Sequence, residues 1–213
     1  MNIGSLRKDD PAYPASLRKH LEEQAPGRLF FLGKADLLGH KSLGLFCSIK
    51  CPGNIILKAY DLARAMREAG IPVIGGFHTP MERECLDLLL RGAQPVVICS
   101  ARGLERMRPS REVSEGIQAG RVLLVSPFGP TPRRATAELA QKRNRLVAAL
   151  ADSAFVTHAA PGGKTEALCR GIIAMGKPLF TIDCPDNAKL LALGAKPVTV
   201  DDVAHQWCKE RSA

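Results

Sequence analysis

A glycine-rich turn is the segment of this chain whose residues are best suited to bind a phosphate. It contains Pro161-Gly162-Gly163-Lys164-Thr165, between an apolar strand-like run and a helical pattern. Glycine permits positive φ and adds no side chain, so backbone N–H groups can approach an anion closely. The N-terminus of the following helix favours negative charge at the same place. We therefore predict phosphate contacts at Gly162, Gly163, Lys164 and Thr165, the alternative being a turn that simply packs a helix on the sheet.

The same turn is not a nucleotide triphosphate loop of the Walker A type. That motif needs a glycine five residues before Gly163, and the residue there is His158. Glu166 follows the turn. It could contact a ribose there, or it could be present only because a negative charge is stabilised near the N-terminus of a helix. No nucleophile–base–acid series is recognisable, so we predict no catalytic residue; Glu166 is the candidate under an enzymatic alternative.

A basic helix precedes the glycine turn and supplies the second set of candidates. Arg133 and Arg134 come first, and Arg143-Asn144-Arg145 follow. Guanidinium groups match phosphate geometry better than ammonium groups do. We predict that Arg143, Asn144 and Arg145 contact phosphate, although a charge run is often simply a solvated face.

The turn after the first strand offers a third set of candidates. Ser48 and Lys50 precede Pro52, which can occupy the first turn of a helix. A hydroxyl, an ammonium and a helix N-terminus together could take a second phosphate, so we include Ser48 and Lys50 in the predicted site. The segment lacks G-x-G-x-x-G, which disfavours dinucleotide binding, and we expect no cofactor.

The elements that must position these turns alternate strictly between strand-like and helical patterns. The predicted strands are residues 43–48, 71–74, 95–99, 121–125, 154–157 and 177–182. The predicted helices include 81–91, 111–119, 133–150 and 165–175. This order predicts an α/β fold, a doubly wound, Rossmann-like, mostly parallel sheet with helices on both faces. We predict a short N-terminal extension over 1–42, the Rossmann-like domain over 43–205 and a C-terminal tail over 206–213.

Composition restricts the class of partner. Thirty Lys and Arg against 21 Asp and Glu give a net charge of +9, which favours an anionic partner such as nucleic acid over a merely basic surface.

Seven cysteines without a C-x-x-C pair indicate neither a disulfide framework nor a zinc site, and we expect no metal. No apolar run is long enough to span a bilayer, and the first residues do not form a signal peptide. We therefore expect a cytoplasmic protein without a membrane partner.

At the level of motifs the chain resembles the DNA-processing protein A (DprA/Smf) family, within the Rossmann-like group that includes the LOG-type phosphoribohydrolases. The clearest likeness is Arg143-Asn144-Arg145-Leu146-Val147-Ala148-Ala149-Leu150, which is similar to the family's R-R-N-R-I-I-A-G-L. Gly70-Ile71-Pro72-Val73-Ile74-Gly75-Gly76 resembles its A-G-x-x-V-V-S-G strand, and residues 45–54 take the place of its V-G-S-R turn. The family's Gly-Ser-Arg is replaced by Cys47-Ser48-Ile49-Lys50, and its A-R-G-I-D segment by residues 77–82. The winged-helix segment that many members carry is not matched, so we expect a divergent, stand-alone member.

This resemblance implies a function in DNA processing. Family members bind single-stranded DNA in a positive pocket and help to load a RecA-type recombinase during natural transformation, without enzymatic activity. We therefore expect single-stranded DNA as a partner, with a RecA-type recombinase and a homodimer as further expectations.

Two alternatives stay open. One is a LOG-type nucleoside-monophosphate phosphoribohydrolase, whose P-G-G-x-G-T-x-x-E pattern is matched in part by Pro161-Gly162-Gly163-Lys164-Thr165-Glu166; the other is a small-nucleotide sensor.

Overall fold

The computed structural model describes residues 2–200 and 202. Within them the chain forms one nine-stranded sheet flanked by seven α-helices. The strands are β1 (Gly4–Arg7), β2 (Arg28–Leu32), β3 (Leu43–Phe46), β4 (Val73–Gly75), β5 (Val96–Cys99), β6 (Val122–Ser126), β7 (Ser153–Val156), β8 (Leu179–Ile182) and β9 (Lys196–Val198). The helices are α1 (Ala15–Leu21), α2 (Gly53–Glu68), α3 (Pro80–Leu89), α4 (Arg111–Gln118), α5 (Ala137–Leu150), α6 (Lys164–Ala174) and α7 (Ala188–Ala192).

The strand order confirms the predicted doubly wound, Rossmann-like fold. Across the sheet the order is β1-β2-β6-β5-β4-β3-β7-β8-β9. Strands β3 to β9 pair in parallel, and β2 pairs antiparallel with both β1 and β6. The chain leaves β3 towards β4 on one side and later returns to β7 on the other, so the topological switch point lies between β3 and β7. In sheets of this kind, ligands bind outside the carboxyl ends of the strands near that point.

Helices cover both faces of the sheet and create two apolar cores. On one face α2, α3 and α4 pack over inward side chains such as Leu45, Val96 and Leu124. On the other face α1, α5, α6 and α7 pack over side chains such as Phe46 and Val97. The strands β3 to β8 are buried throughout, as expected for parallel strands sandwiched between helices.

Several predicted boundaries differ from the structure. The predicted helix 133–150 is wrong at its start, because α5 begins at Ala137 after Thr136, whose hydroxyl accepts a hydrogen bond from the Leu139 N–H. Arg133 and Arg134 therefore lie in the preceding loop. Strand β3 ends at Phe46, two residues before the predicted end at Ser48.

The ends of the chain add strands that the apolar pattern did not predict. Strand β1 pairs with β2 at one edge of the sheet, and β9 pairs with β8 at the other. The segment 1–42 thus joins the same sheet as the following elements, while its boundary with the domain stays a prediction. The predicted tail 206–213 and residues 201 and 203–205 of the predicted domain lie outside the described residues.

Candidate functional site

The glycine turn between β7 and α6 has the backbone conformation that its sequence predicts. Gly162 has a φ of +70°, a value that favours glycine, and Gly163 precedes the first residue of α6. Both glycine N–H groups donate within the turn: that of Gly163 to the Ala160 carbonyl at 2.9 Å, and that of Gly162 to the Glu166 carboxylate at 2.9 Å. The turn is thus built for an acceptor oxygen, and in this structure a side chain of the protein supplies one.

Glu166 is held in this position from two sides. Its second carboxylate oxygen accepts a hydrogen bond from the Arg170 guanidinium at 2.7 Å. The Gly162 N–H, and then Arg170, keep the pKa of Glu166 below its ordinary value. A carboxylate that is ionised and hydrogen-bonded to its own turn is suited to fix the turn, and a phosphate that used the Gly162 N–H would have to displace it.

The basic helix α5 sends its two arginines in different directions. Residues two apart lie about 200° apart around a helix, so Arg143 and Arg145 cannot face the same ligand directly. Arg143 is 3% exposed, and its guanidinium donates to the Cys99 carbonyl at 2.9 Å and to the Asn144 side-chain oxygen at 2.7 Å. Arg145 is exposed. The structure thus divides the Arg143-Asn144-Arg145 run between two surfaces.

Burial of Arg143 depends on a glycine in the neighbouring turn. A Cβ added to Gly76, just after β4, would lie 2.0 Å from the guanidinium carbon of Arg143, so the arginine fills the space that a side chain would need. Burial lowers the pKa of Arg143, and the nearby Glu82 carboxylate acts in the opposite direction.

Glu82 is itself buried, and it accepts hydrogen bonds from the backbone N–H groups of Cys47 and His78, both at 2.9 Å. Burial raises the pKa of Glu82.

Arg143 lines a cavity of about 400 Å³ outside the carboxyl ends of β4 and β5, which we call the arginine cavity. Three further arginines line it: Arg83 on α3, Arg102 in the loop after β5, and Arg134 in the loop before α5. No acidic side chain is among its lining residues in the described part of the chain. Four cations from four separate elements therefore meet at the edge of the sheet where ligands bind.

The loop that carries Arg102 is fixed by two serine hydroxyls. Those of Ser100 and the fully buried Ser126 both donate to the Arg102 carbonyl, at 2.9 and 2.8 Å. The Gly103 N–H donates to the Pro132 carbonyl at 3.0 Å, which ties this loop to the one carrying Arg134. The two arginines are thus presented by loops that are hydrogen-bonded to each other.

A second cationic surface lies on the other side of α5, and we call it the helix groove. It is a cavity of about 280 Å³ between α5 and α6, lined by Asn144, Arg145 and Lys164 among others. Arg145 and Lys164 are exposed, and neither side chain makes a hydrogen bond or ion pair with the described residues. Three predicted phosphate contacts are therefore brought together here.

The predicted contacts on the first turn have different environments. Ser48 is buried, and its hydroxyl accepts a hydrogen bond from the Ala160 N–H at 2.9 Å while its own N–H donates to the His158 carbonyl at 2.9 Å. These bonds join the turns after β3 and β7 across the topological switch point. Lys50 is exposed on this turn and does not line the arginine cavity or the helix groove. Thr165, a predicted contact of the glycine turn and not of the first turn, is half-buried at the start of α6.

Sequence reasoning missed Arg83 and Arg102, and it noted Arg134 without including it in the site. Arg83 is on a helix and Arg102 in a loop 19 residues later, so no local pattern connects them. A signal existed for Arg102, since it lies just beyond the carboxyl end of a predicted parallel strand. Near the glycine turn, the ring of His158 is hydrogen-bonded to the buried Asn187 side chain at 3.0 Å.

Over residues 5–207 the sequence matches the family model of DNA recombination-mediator protein A. The chain belongs to this family. That membership confirms the resemblance to DprA proteins and places the chain among proteins of DNA processing. No match is found among curated protein sequences.

Solved structures of DprA proteins have the same fold. The X-ray structure of DNA processing protein A from Streptococcus pneumoniae superposes with a TM-score of 0.80 at 21% identity, over 95% of this chain and 73% of that one. The protein from Helicobacter pylori, whose structure is described as showing a unique single-stranded DNA binding mode, gives 0.77 at 18% identity, over 98% and 97% of the two chains. The molybdenum cofactor binding protein of Rippkaea orientalis gives 0.57 at 11% identity, over 82% and 99%.

Two further observations concern metals and membranes. Within the described residues, no group of three or more His, Cys, Asp or Glu side chains is placed to hold a metal ion. None of the helices in that part of the chain is long and apolar enough to cross a membrane.

Proposed function

We propose that this protein binds single-stranded DNA through the phosphates of its backbone, as part of DNA uptake, processing or recombination. The observation that carries the proposal is the arginine cavity, where Arg83, Arg102, Arg134 and Arg143 converge without an acidic neighbour among the lining residues. A phosphate ester is the anion that guanidinium groups recognise best, since their paired N–H groups match its oxygens. Membership in a DNA-processing family makes the DNA backbone the leading source of such phosphates.

Three of the four arginines divide into two roles, while the guanidinium of the fourth, Arg102, donates to the Arg133 carbonyl at 3.4 Å. Arg143 is buried and hydrogen-bonded to the Cys99 carbonyl, so it provides a fixed charge at the base of the cavity. Arg83 and Arg134 are exposed and make no hydrogen bond or ion pair with the described side chains, so they are available for an incoming phosphate. A fixed charge at the base and adaptable charges at the rim suit a flexible strand of no defined sequence.

The helix groove extends the cationic surface around α5. Arg145 and Lys164 provide positive charge there, and Asn144, hydrogen-bonded to Arg143, lies between the two surfaces. A strand crossing α5 would meet arginines on both sides of the helix. The glycine turn lies beside this groove, and its Gly162 N–H becomes available if Glu166 is displaced.

A comparison of matched arginine variants tests the proposal. The full chain is titrated onto a fluorescent oligothymidylate, and the affinities of wild type, Arg134→Ala and Arg91→Ala are compared at one salt concentration. Arg91 is an exposed arginine in the loop between α3 and β5, at the amino-terminal end of the strand whose carboxyl end borders the arginine cavity, so its removal changes the net charge equally. We expect Arg134→Ala to weaken binding several-fold and Arg91→Ala to have little effect. Equal effects, or no binding by wild type, would contradict the proposal.

Two arms of the same experiment separate the alternatives. If a thymidine monophosphate competitor displaces the oligonucleotide at equal nucleotide concentration, the protein is a small-nucleotide sensor. If wild type releases free base from nucleoside monophosphates and Glu166→Gln does not, the LOG-type hydrolase is correct. A RecA-type recombinase and a second copy of the chain stay predicted partners, and co-sedimentation with and without DNA would test both.

A further inference from the structure

A third cavity, of about 460 Å³, lies between the N-terminal segment and α5, and it differs from the two cationic surfaces. Its walls are mainly apolar, formed by Leu21, Pro26, Pro127, Phe128 and Leu146. Three polar side chains complete it: Gln24, Lys142 and Arg145. Its size, and its mostly apolar walls with a few polar groups, are those of a site for a small organic group.

We propose that this cavity, the base pocket, receives a nucleobase of the bound strand. The inference rests on the proposed function, and it assigns the pocket a role that phosphate binding alone does not require. Arg145 lines both the base pocket and the helix groove. A strand whose phosphate lies on Arg145 would therefore have a neighbouring base beside the pocket that Phe128 also lines.

The walls of the pocket are fixed before any ligand binds. The Phe128 N–H donates to the hydroxyl of the fully buried Ser126 at 3.0 Å, which anchors the backbone of the aromatic residue. The Tyr13 hydroxyl donates to the Pro26 carbonyl at 2.8 Å and holds the part of the wall that Pro26 forms. Leu146 is 1% exposed and forms the base of the cavity. A preformed pocket avoids much of the ordering cost of binding.

The polar residues at the rim suit a nucleotide rather than a peptide or lipid. Gln24 is exposed and its side-chain amide makes no hydrogen bond with the described residues, so it offers both a donor and an acceptor to a base edge. Lys142 pairs with Glu138 at 2.9 Å, an exposed ion pair of the kind that contributes little and that a phosphate can replace. An aromatic ring, an amide and two cations are the groups that bind single-stranded nucleic acid without strict sequence preference.

The test compares a strand with bases and a strand without them. An oligothymidylate and an abasic oligonucleotide of the same length, built from tetrahydrofuran phosphates, are titrated with the full chain. We expect wild type to bind the thymidine strand about tenfold more tightly. Phe128→Ala should lower affinity for the thymidine strand by about tenfold and leave the abasic strand unaffected, and Phe128→Tyr should retain wild-type binding. Tyr60→Ala, on α2 across the sheet, is the aromatic control.

The outcomes distinguish the two proposals. If wild type binds the two strands equally, or if Phe128→Ala weakens both to the same degree, the base pocket is overturned while phosphate binding stands. If wild type binds neither strand, the proposed function fails and the base pocket with it. A photo-crosslink from a 5-iodouracil strand to a peptide containing Phe128 would support the pocket, and a crosslink confined to peptides outside its walls would contradict it.

Discussion

Replacing Gly76 by alanine is the sharpest test of the packing at the candidate site. The added Cβ would lie 2.0 Å from both the guanidinium carbon and a terminal nitrogen of Arg143, so the buried side chain would have to move. Its hydrogen bond to the Cys99 carbonyl would then weaken or break, and a hydrogen bond to a charged group contributes about 1.5–3 kcal/mol. Overpacking costs about 1–3 kcal/mol, and the two effects overlap. We therefore expect Gly76→Ala to lower the free energy of unfolding by about 2–4 kcal/mol.

Urea unfolding followed by circular dichroism measures this change. Gly171→Ala is the matched control, because Gly171 lies inside α6 and an added Cβ meets no atom within 4 Å. Removing a glycine from a helix interior should stabilise the protein by up to about 1 kcal/mol. A loss below about 0.5 kcal/mol for Gly76→Ala would show that Arg143 is free to move, and would refute its role as a fixed charge at the base of the arginine cavity.

Three further predictions concern single groups around the site. Glu82→Gln should lower the free energy of unfolding by about 1–3 kcal/mol in urea. Glutamine keeps one acceptor oxygen, but its amide nitrogen cannot accept, so the backbone N–H of Cys47 or that of His78 loses its partner; wild-type stability would contradict this role. Thr136→Ala should cost about 1 kcal/mol in the same assay through loss of the α5 N-cap, and Thr136→Ser should not. The pKa of Glu166 is lowered in the folded protein, so its ionised carboxylate stabilises the fold above the ordinary glutamate pKa. This contribution is lost as the pH falls through the lowered pKa of Glu166. An NMR titration should find the pKa of Glu166 below that of an ordinary glutamate, and an ordinary value would refute the contact with Gly162.

The fold could be predicted from the sequence because the parallel strands are buried on both faces. Runs such as Val96–Cys99 are continuously apolar and bounded by turns, and alternation with helices then leaves few topologies. The edge strands β1 and β9 could not be predicted in this way. Gly4–Arg7 alternates with partial exposure, and Lys196–Val198 has one buried residue, so pairing with a neighbouring strand defines them rather than an apolar pattern.

The candidate site could be predicted in part. Local rules identified the glycine turn and the arginines of α5, because strand–turn–helix spacing and composition are visible in sequence. They could not show that Arg143 is buried beneath Gly76, since that contact joins residues far apart in the chain. Nor could they show that the Glu166 carboxylate already accepts the hydrogen bond of the Gly162 N–H. Whether that N–H donates to a side chain or is left for a ligand depends on the backbone geometry of the turn.

The salt dependence of strand binding tests the central claim most directly. For single strands, the slope of log affinity against log salt concentration is about −0.7 per neutralised phosphate. The slopes of wild type, the Arg102→Ala/Arg134→Ala double variant and Arg91→Ala are measured with one oligothymidylate. We predict a steep wild-type slope, a slope shallower by about 1.4 in the double variant, and an unchanged slope in the control. Salt-insensitive binding by wild type, or a double variant with the wild-type slope, would contradict phosphate binding in the arginine cavity.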